Sequence, residues 1–264
     1  MNAKPHDRRI EIARPDPVTV RFYGRKECQA GAPLVLHFHG GAFTDGTLED
    51  GAPLAEALVA AGAVVASIDY PLAPGHKFPD AVEVGYGVLL WAIRWRGRVC
   101  GDRTAPLYVA GEEAGGNIAA AVAMMARDRG AELAGQILVD PLLDPCIGTP
   151  SMRAAHAGPA GECKFADGWH HYLRTPQDSD HPYAAPATAR RLAGIAPTVI
   201  VATAGTPLRD EVTTFSQRLG AAGIPIELIW AEHRGLRADR ARGGAATLFA
   251  RRSEFHPIPE RTTP

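Results

Sequence analysis

The chain has 264 residues, 46% of them apolar, which is enough to bury one sizeable core. Its 28 basic and 29 acidic side chains leave a formal charge of −1, so no global field draws it toward nucleic acid or anionic lipid, and any partner is recognised locally. This composition excludes collagen, disorder and a disulfide miniprotein.

At the start, Lys4, Arg8 and Arg9 have no apolar stretch behind them, so the hydrophobic region of a secretory signal is lacking and the expected compartment is the cytoplasm. Glu11–Ala13 and Val18–Phe22 flank Pro15-Asp16-Pro17, a pattern that predicts an antiparallel hairpin at a sheet edge. From about residue 33, short β-rich runs alternate with helical patterns. The expected strands are Leu34–His39, Val64–Tyr70, Leu107–Ala110, Ile137–Val139, Thr198–Thr203 and Ile226–Trp230, each nearly continuous in apolar residues, as strands buried on both faces are. Between them Leu54, Leu58 and Ala61 step at helical spacing until Gly62; Val84, Val88, Trp91 and Trp95 do the same and read as core, as do Val212, Phe215 and Leu219 before Gly223. The alternation predicts an α/β fold with a mostly parallel central sheet and helices on both faces.

The longest nearly apolar run, Ala57 to Ile68, falls well short of the roughly 20 residues a membrane helix needs, so no membrane partner is expected. Cys28, Cys100, Cys146 and Cys163 show no C-x-x-C spacing and read as scattered reduced thiols. Pro145 to Pro186, rich in Gly, Pro, His and Asp, breaks the rhythm with only a short helical piece around Phe165–Leu173. An insertion of that kind at the carboxyl ends of the strands predicts a lid or binding segment. Adjacent His170 and His171 diverge by about 100° on a helix and make a poor metal pair, so no metal is expected. The arginines after Arg234, namely Arg237, Arg240, Arg242, Arg251 and Arg252, read as a solvated helix face.

Four segments resemble the hormone-sensitive-lipase-like branch of the α/β-hydrolases. His39-Gly40-Gly41-Ala42-Phe43 resembles its HGGG oxyanion loop, and Asp69-Tyr70-Pro71-Leu72-Ala73-Pro74 with His76, Phe78 and Pro79 resembles its YRLAPExxFP element. Gly111-Glu112-Glu113-Ala114-Gly115-Gly116-Asn117 is similar to its GDSAGGN nucleophile elbow, and Pro207-Leu208-Arg209-Asp210-Glu211 to the stretch around its catalytic acid. The resemblance implies an α/β-hydrolase fold over residues 1–264 as a single domain, with a reduced cap and residues 145–186 as a cap-like insertion. It also places Glu113 where the family carries serine, Thr206 where it carries the acid, and Arg234 where a histidine opens an H-G-F-like motif, with His233 one residue earlier.

In physical terms, a strand running into Gly111-x-x-x-Gly115 and then a helix is the context of an elbow that pushes one side chain, Glu113, out over the sheet. The amides of Gly40, Gly41 and Ala114 would form an oxyanion hole. A carboxylate among N–H donors stays ionised and can accept a proton. The expected function is therefore a cofactor-free, non-hydrolytic enzyme of dehydratase, cyclase or isomerase type, with Glu113 as general base toward a small carbonyl compound. Two alternatives stand beside it: a non-catalytic small-molecule binder whose Glu113 folds back into the hole, and an ester or lactone hydrolase using Glu113. His233 and Asp140, the latter at the end of the Ile137–Val139 strand, are the supporting catalytic candidates; His39, Phe43, Thr206 and Arg234 are candidate substrate contacts. Asp144 and Asp210 read as structural, and His37 as a satisfied core residue. The resemblance also implies cap helices before the first hairpin, where this sequence has only about ten residues before Glu11, so the pocket is expected to be open on one side: either the substrate is large, or residues 145–186 and a possible homodimer supply the lid.

Overall fold

A computed structural model describes residues 4–12, 17–24, 31–146, 148–156 and 164–251; Pro15, Asp16, Cys28, Cys163 and Arg252 lie outside these. Apolar strands set its frame. Strands β1 (His6–Ile10), β2 (Val18–Tyr23), β3 (Leu34–Phe38), β4 (Val64–Ile68), β5 (Leu107–Glu112), β6 (Gly135–Val139), β7 (Thr198–Thr203) and β8 (Ile226–Ala231) form one sheet in the order β1-β2-β4-β3-β5-β6-β7-β8. β2 runs antiparallel to β1 and β4, and every other pairing is parallel. β3, β4, β6 and β7 are buried along their whole length because helices cover both faces of the sheet.

The edge hairpin is displaced from its expected place: His6–Ile10 pairs with Val18–Phe22, Glu11 and Ile12 lie outside that pairing, and Ala13 lies outside the described residues. This register puts Ile10 into the core and stacks His6 on Phe22 with ring centroids 5.5 Å apart. A slip of one residue would turn Ile10 outward, which is why the pairing is fixed there.

Helices α1 (Ala52–Ala60) and α7 (Arg237–Ala250) cover one face, where Leu54, Leu58, Ala241 and Leu248 pack with Val35, Val65 and Val199. Helices α2 (Asp80–Val99), α3 (Ala114–Arg129) and α6 (Arg209–Ala221) cover the other, against Phe38, Leu138 and Ile200. Trp91 is half-buried on Phe22, whereas Trp95 departs from the expected core position and lies half-exposed beside the guanidinium groups of Arg94 and Arg98. A flat, polarisable indole is stabilised there by cation–π contact rather than by burial.

The segment from 145 to 186 carries α4 (Pro150–His156) and α5 (Lys164–Tyr172), followed by two 3₁₀ turns at Pro176–Asp180 and Pro186–Thr188. Phe165, Trp169 and Tyr172 of α5 are buried; Trp169 packs tilted against Phe43 at a centroid distance of 4.8 Å and Tyr172 stacks on it at 4.0 Å. Contact is so close that a Cβ on Gly168 would stand 2.1 Å from the carbonyl oxygen of Ala42. Among the described residues no helix is long and apolar enough to cross a membrane.

Candidate active site

Strand β5 ends in a sharp turn whose apex is Glu113, at φ 50° and ψ −116°, before α3 begins at Ala114. A non-glycine residue at positive φ costs on the order of 1–3 kcal/mol and persists only where the surroundings fix it. Here the Glu113 amide donates to the carbonyl of Val139 at 2.9 Å, and its carbonyl accepts from the amides of Asn117 and Leu142 at 3.1 and 3.0 Å. Two glycines make the turn possible. A Cβ on Gly111 would lie 2.2 Å from the Gly115 oxygen, and one on Gly115 would lie 2.2 Å from the Phe38 oxygen. The elbow is thus wedged against the loop that follows β3.

That loop turns back on itself through Gly41 (φ 120°), Ala42 (φ 50°) and Phe43 (φ 70°), held by hydrogen bonds from the amides of Thr44 and Asp45 to the Gly41 carbonyl. The amides of Gly40, Gly41 and Ala114 donate to no protein acceptor among the described residues. His39 and Phe43 do not border the cavity, and their expected role as substrate contacts is corrected. His39 is fully buried, with its ring stacked 4.4 Å from Tyr70 and Nδ1 2.7 Å from the Gly40 oxygen, and Phe43 is clamped by Trp169 and Tyr172. The positive φ values of Ala42 and Phe43 swing the ring inward, a feature no side-chain pattern announces.

Glu113 is 5% exposed and its side chain faces a cavity of about 470 Å³ lined also by Asp140, Phe165, Thr206, Leu208 and His233. Its carboxylate does not fold back onto the amides of Gly41 and Ala114. It accepts instead from Lys164 Nζ, 2.9 and 3.1 Å from its two oxygens, and from Arg234 Nη2. Burial alone would raise this carboxyl, but the Lys164 ammonium and the Arg234 guanidinium outweigh it and hold it below its ordinary range. Of the two neighbours competing for contact with the elbow, Arg234 reaches Glu113, while His233 stands exposed on the cavity wall.

Asp140 borders the same cavity but is engaged elsewhere. Its oxygens accept from the Thr203 amide at 2.8 Å, the Thr203 hydroxyl at 2.7 Å and Arg237 at 3.2 Å. Arg237 also approaches Glu112 at 3.5 Å, so it belongs to a buried ion-pair network and not, as its arginine-rich context suggested, to a solvated face. Burial pushes the Glu112 carboxyl up, against the pull of Arg237. Thr206 lines the cavity, with its hydroxyl accepting from the Leu208 amide. Among the described residues neither Ser151 nor Ser179 takes over the elbow's place: Ser151 donates to the Pro207 carbonyl and Ser179 to that of Pro176. Asp144 and Asp210 hold loops, through the amides of Cys146 and Ser151. Lys164, Arg237 and Glu112 are the site residues that sequence reasoning missed.

The chain matches the family described as alpha/beta hydrolase fold over residues 35–235. It is 37% identical to Esterase LipI of Mycobacterium tuberculosis over 221 residues, 80% of this chain and 68% of that protein. It is 33% identical to Carboxylesterase NlhH of the same organism, again over 80% of this chain and 68% of the relative. Among solved structures, the thermostable carboxylesterase EstE1, cloned from a metagenomic library, superposes with a TM-score of 0.83 at 28% identity, covering 97% of this chain and 91% of that one. These relatives overturn the expectation of a non-hydrolytic enzyme or a non-catalytic binder, since all three are named for ester hydrolysis. Fold, motif order and sequence similarity agree: the chain belongs to the α/β-hydrolase fold family, in its hormone-sensitive-lipase-like branch.

Proposed function

We propose that the protein hydrolyses carboxylic esters of small molecules in the cavity before Glu113, without a cofactor. The observation that carries this reading is an ionised carboxylate held at the apex of the elbow and facing the cavity, with the amides of Gly40, Gly41 and Ala114 in the adjoining turns lacking a protein acceptor among the described residues. The esterases to which the chain is similar support it.

A carboxylate whose proton affinity is lowered by two cations is a poor general base, because efficient proton transfer needs a pKa near the working pH. The same cations keep it fully ionised, as a nucleophile must be. In the proposed reaction a Glu113 oxygen forms a bond to the ester carbonyl carbon, and the carbonyl oxygen takes up negative charge opposite the three amides. The C–O bond to the leaving alkoxide or phenoxide then breaks, and the departing oxygen takes a proton from water. The resulting mixed anhydride is opened by a second water whose proton goes to His233 on the cavity wall, Glu113 returns as a carboxylate, and His233 gives the proton to the hydroxide left by the first step, so that ester and one water yield acid and alcohol. Because a carboxylate is a far weaker base than an alkoxide, the intermediate expels an alkoxide poorly, so the mechanism favours esters of acidic alcohols such as phenols and enols. Asp140, through Thr203 and Arg237, anchors the wall that carries Arg234. Hydrolysis of p-nitrophenyl acetate above the buffer rate is the expected result, and no turnover of any aryl ester would overturn the proposal.

A further inference from the structure

The charges around Glu113 are sorted by depth. Three acids, Glu112, Glu113 and Asp140, have side chains 15%, 6% and 4% exposed; the bases that meet Glu113, Lys164 and Arg234, are 53% and 59% exposed. Arg237, 15% exposed, is shared by Glu112 and Asp140 underneath. Glu232, the remaining acid on the cavity wall, is taken by Arg240 at 2.5 Å. The rim presented to a ligand is therefore two exposed cations that share one carboxylate, while the acids beneath bring the whole cluster, three acids against three bases, to neutrality.

Their donors are not used up. Among the described residues Arg234 spends one nitrogen, Nη2, on Glu113, and Lys164 bonds to nothing besides that carboxylate while its Nζ lies 4.8 Å from the centre of the Phe165 ring. An arginine fork with idle N–H groups at the rim of a partly closed cavity is built to take a planar anion. Behind it Phe165, Leu208 and Ala155 offer apolar wall. A planar, singly charged carboxylate fits this fork, whereas a phosphate monoester, at about −1.5 to −2, would bring more negative charge against the acids beneath.

We infer that the substrate is an ester which also carries a free carboxylate, joined by a short apolar chain, and that Lys164 and Arg234 bind this second group and so set specificity. The turnover part of this inference rests on the ester-hydrolase reading; the binding part does not. Glu113 is then an internal competitor for the same cations, which gives the inference an unusual signature.

Two measurements test it. In turnover, kcat/KM for the mono-p-nitrophenyl ester of glutaric acid is compared with that for p-nitrophenyl butyrate. The anionic ester is expected to be preferred by roughly tenfold or more at low salt, and Arg234→Gln and Lys164→Gln to remove the preference through KM. In binding, calorimetry with monomethyl glutarate on the native protein, Arg234→Gln and Glu113→Gln is expected to show weakening by roughly tenfold in the first variant and strengthening in the second, where the competitor has lost its charge. Equal turnover of the two esters, or an affinity that neither variant moves, overturns the inference while leaving ester hydrolysis standing. Binding with the expected order of variants but no turnover of either ester removes the hydrolytic reading and keeps the carboxylate site.

Discussion

Arg234 and Glu113, 121 positions apart in the chain, meet in an ion pair that joins the turn after β8 to the elbow after β5. Glu113 is almost wholly enclosed and Arg234 more than half exposed, so the pair aims a fixed carboxylate into the cavity while leaving its cation within reach of a ligand.

This pairing sets the acid limb of the activity. Glu113 sits below its ordinary value because Lys164 and Arg234 overcome the effect of burial. Its ion pairs stabilise the fold at pH above the unfolded value, about 4.3, and that contribution is lost as pH falls through the lower, folded one. The acylation step, read as the single-turnover release of p-nitrophenol from p-nitrophenyl acetate, needs Glu113 and not His233, and its rate should stay flat from neutrality down to about pH 5. Arg234→Gln, which removes one of the opposing cations, should move the acid limb upward, and a limb that stays in place would show that the guanidinium does not hold the carboxylate ionised.

Leaving-group chemistry gives a second expectation. If a carboxylate attacks the ester, kcat must fall steeply from p-nitrophenyl to phenyl to ethyl acetate, since each step widens the margin by which the departing oxygen is a poorer leaving group than Glu113. Comparable kcat values for the aryl and ethyl esters would point to a serine-like alkoxide and away from Glu113.

Helix α5 is seated on the oxyanion loop by the absence of a side chain at Gly168. Gly168→Ala would force backbone apart, because a Cβ 2.1 Å from the Ala42 oxygen is not tolerated. Overpacking of this kind costs about 1–3 kcal/mol. We expect a lower denaturation midpoint together with a raised KM, as Lys164 and Phe165 leave the cavity wall. A loss of stability with unchanged KM would detach α5 from substrate binding.

Asp140→Ala strips two hydrogen bonds from Thr203 and one partner from the largely buried Arg237. Breaking a buried charged pair on one side costs about 3–5 kcal/mol, reduced here because Glu112 still faces Arg237. Urea unfolding should show a loss toward the low end of that range, and Asp140→Asn, which keeps an acceptor for Thr203, a smaller one.

His37 supplies a stability switch distant from the chemistry. It is fully buried, with Nδ1 2.9 Å from the Ser67 hydroxyl, and burial, with a smaller push from His39, drives its pKa down from 6.5 to about 3. Because it stays neutral in the fold but is protonated when unfolded, its contribution is whole above pH 6.5 and falls by about 1.4 kcal/mol per pH unit below that. Native stability minus that of His37→Gln, followed by urea midpoint from pH 8 to pH 5, should decline on the acid side.

The sheet was readable in the sequence because doubly covered strands are unbroken apolar runs, and the elbow because Gly111 and Gly115 stand where backbones collide. Glu113, Asp140, Thr206, His233 and Arg234 were named from motif and strand ends, and they do border one cavity. Lys164 was not legible, since the path of the insertion depends on Gly168 settling against Ala42, a contact between distant segments. Arg237 was hidden among four other arginines, and nothing local distinguishes the one that turns inward to Asp140. Phe43 is not legible because the backbone twist at Ala42 and Phe43 decides which way its ring points, and His39 because its ring stacks on Tyr70 from a distant segment.

The most direct measurement is kcat/KM for p-nitrophenyl acetate with the native protein and with Glu113→Gln, which keeps the side chain's shape and removes its charge. The account predicts hydrolysis by the native protein and a fall of at least about a hundredfold in the variant, in keeping with loss of a nucleophile. Undiminished hydrolysis by Glu113→Gln would contradict it, because the reaction would then proceed without the elbow carboxylate.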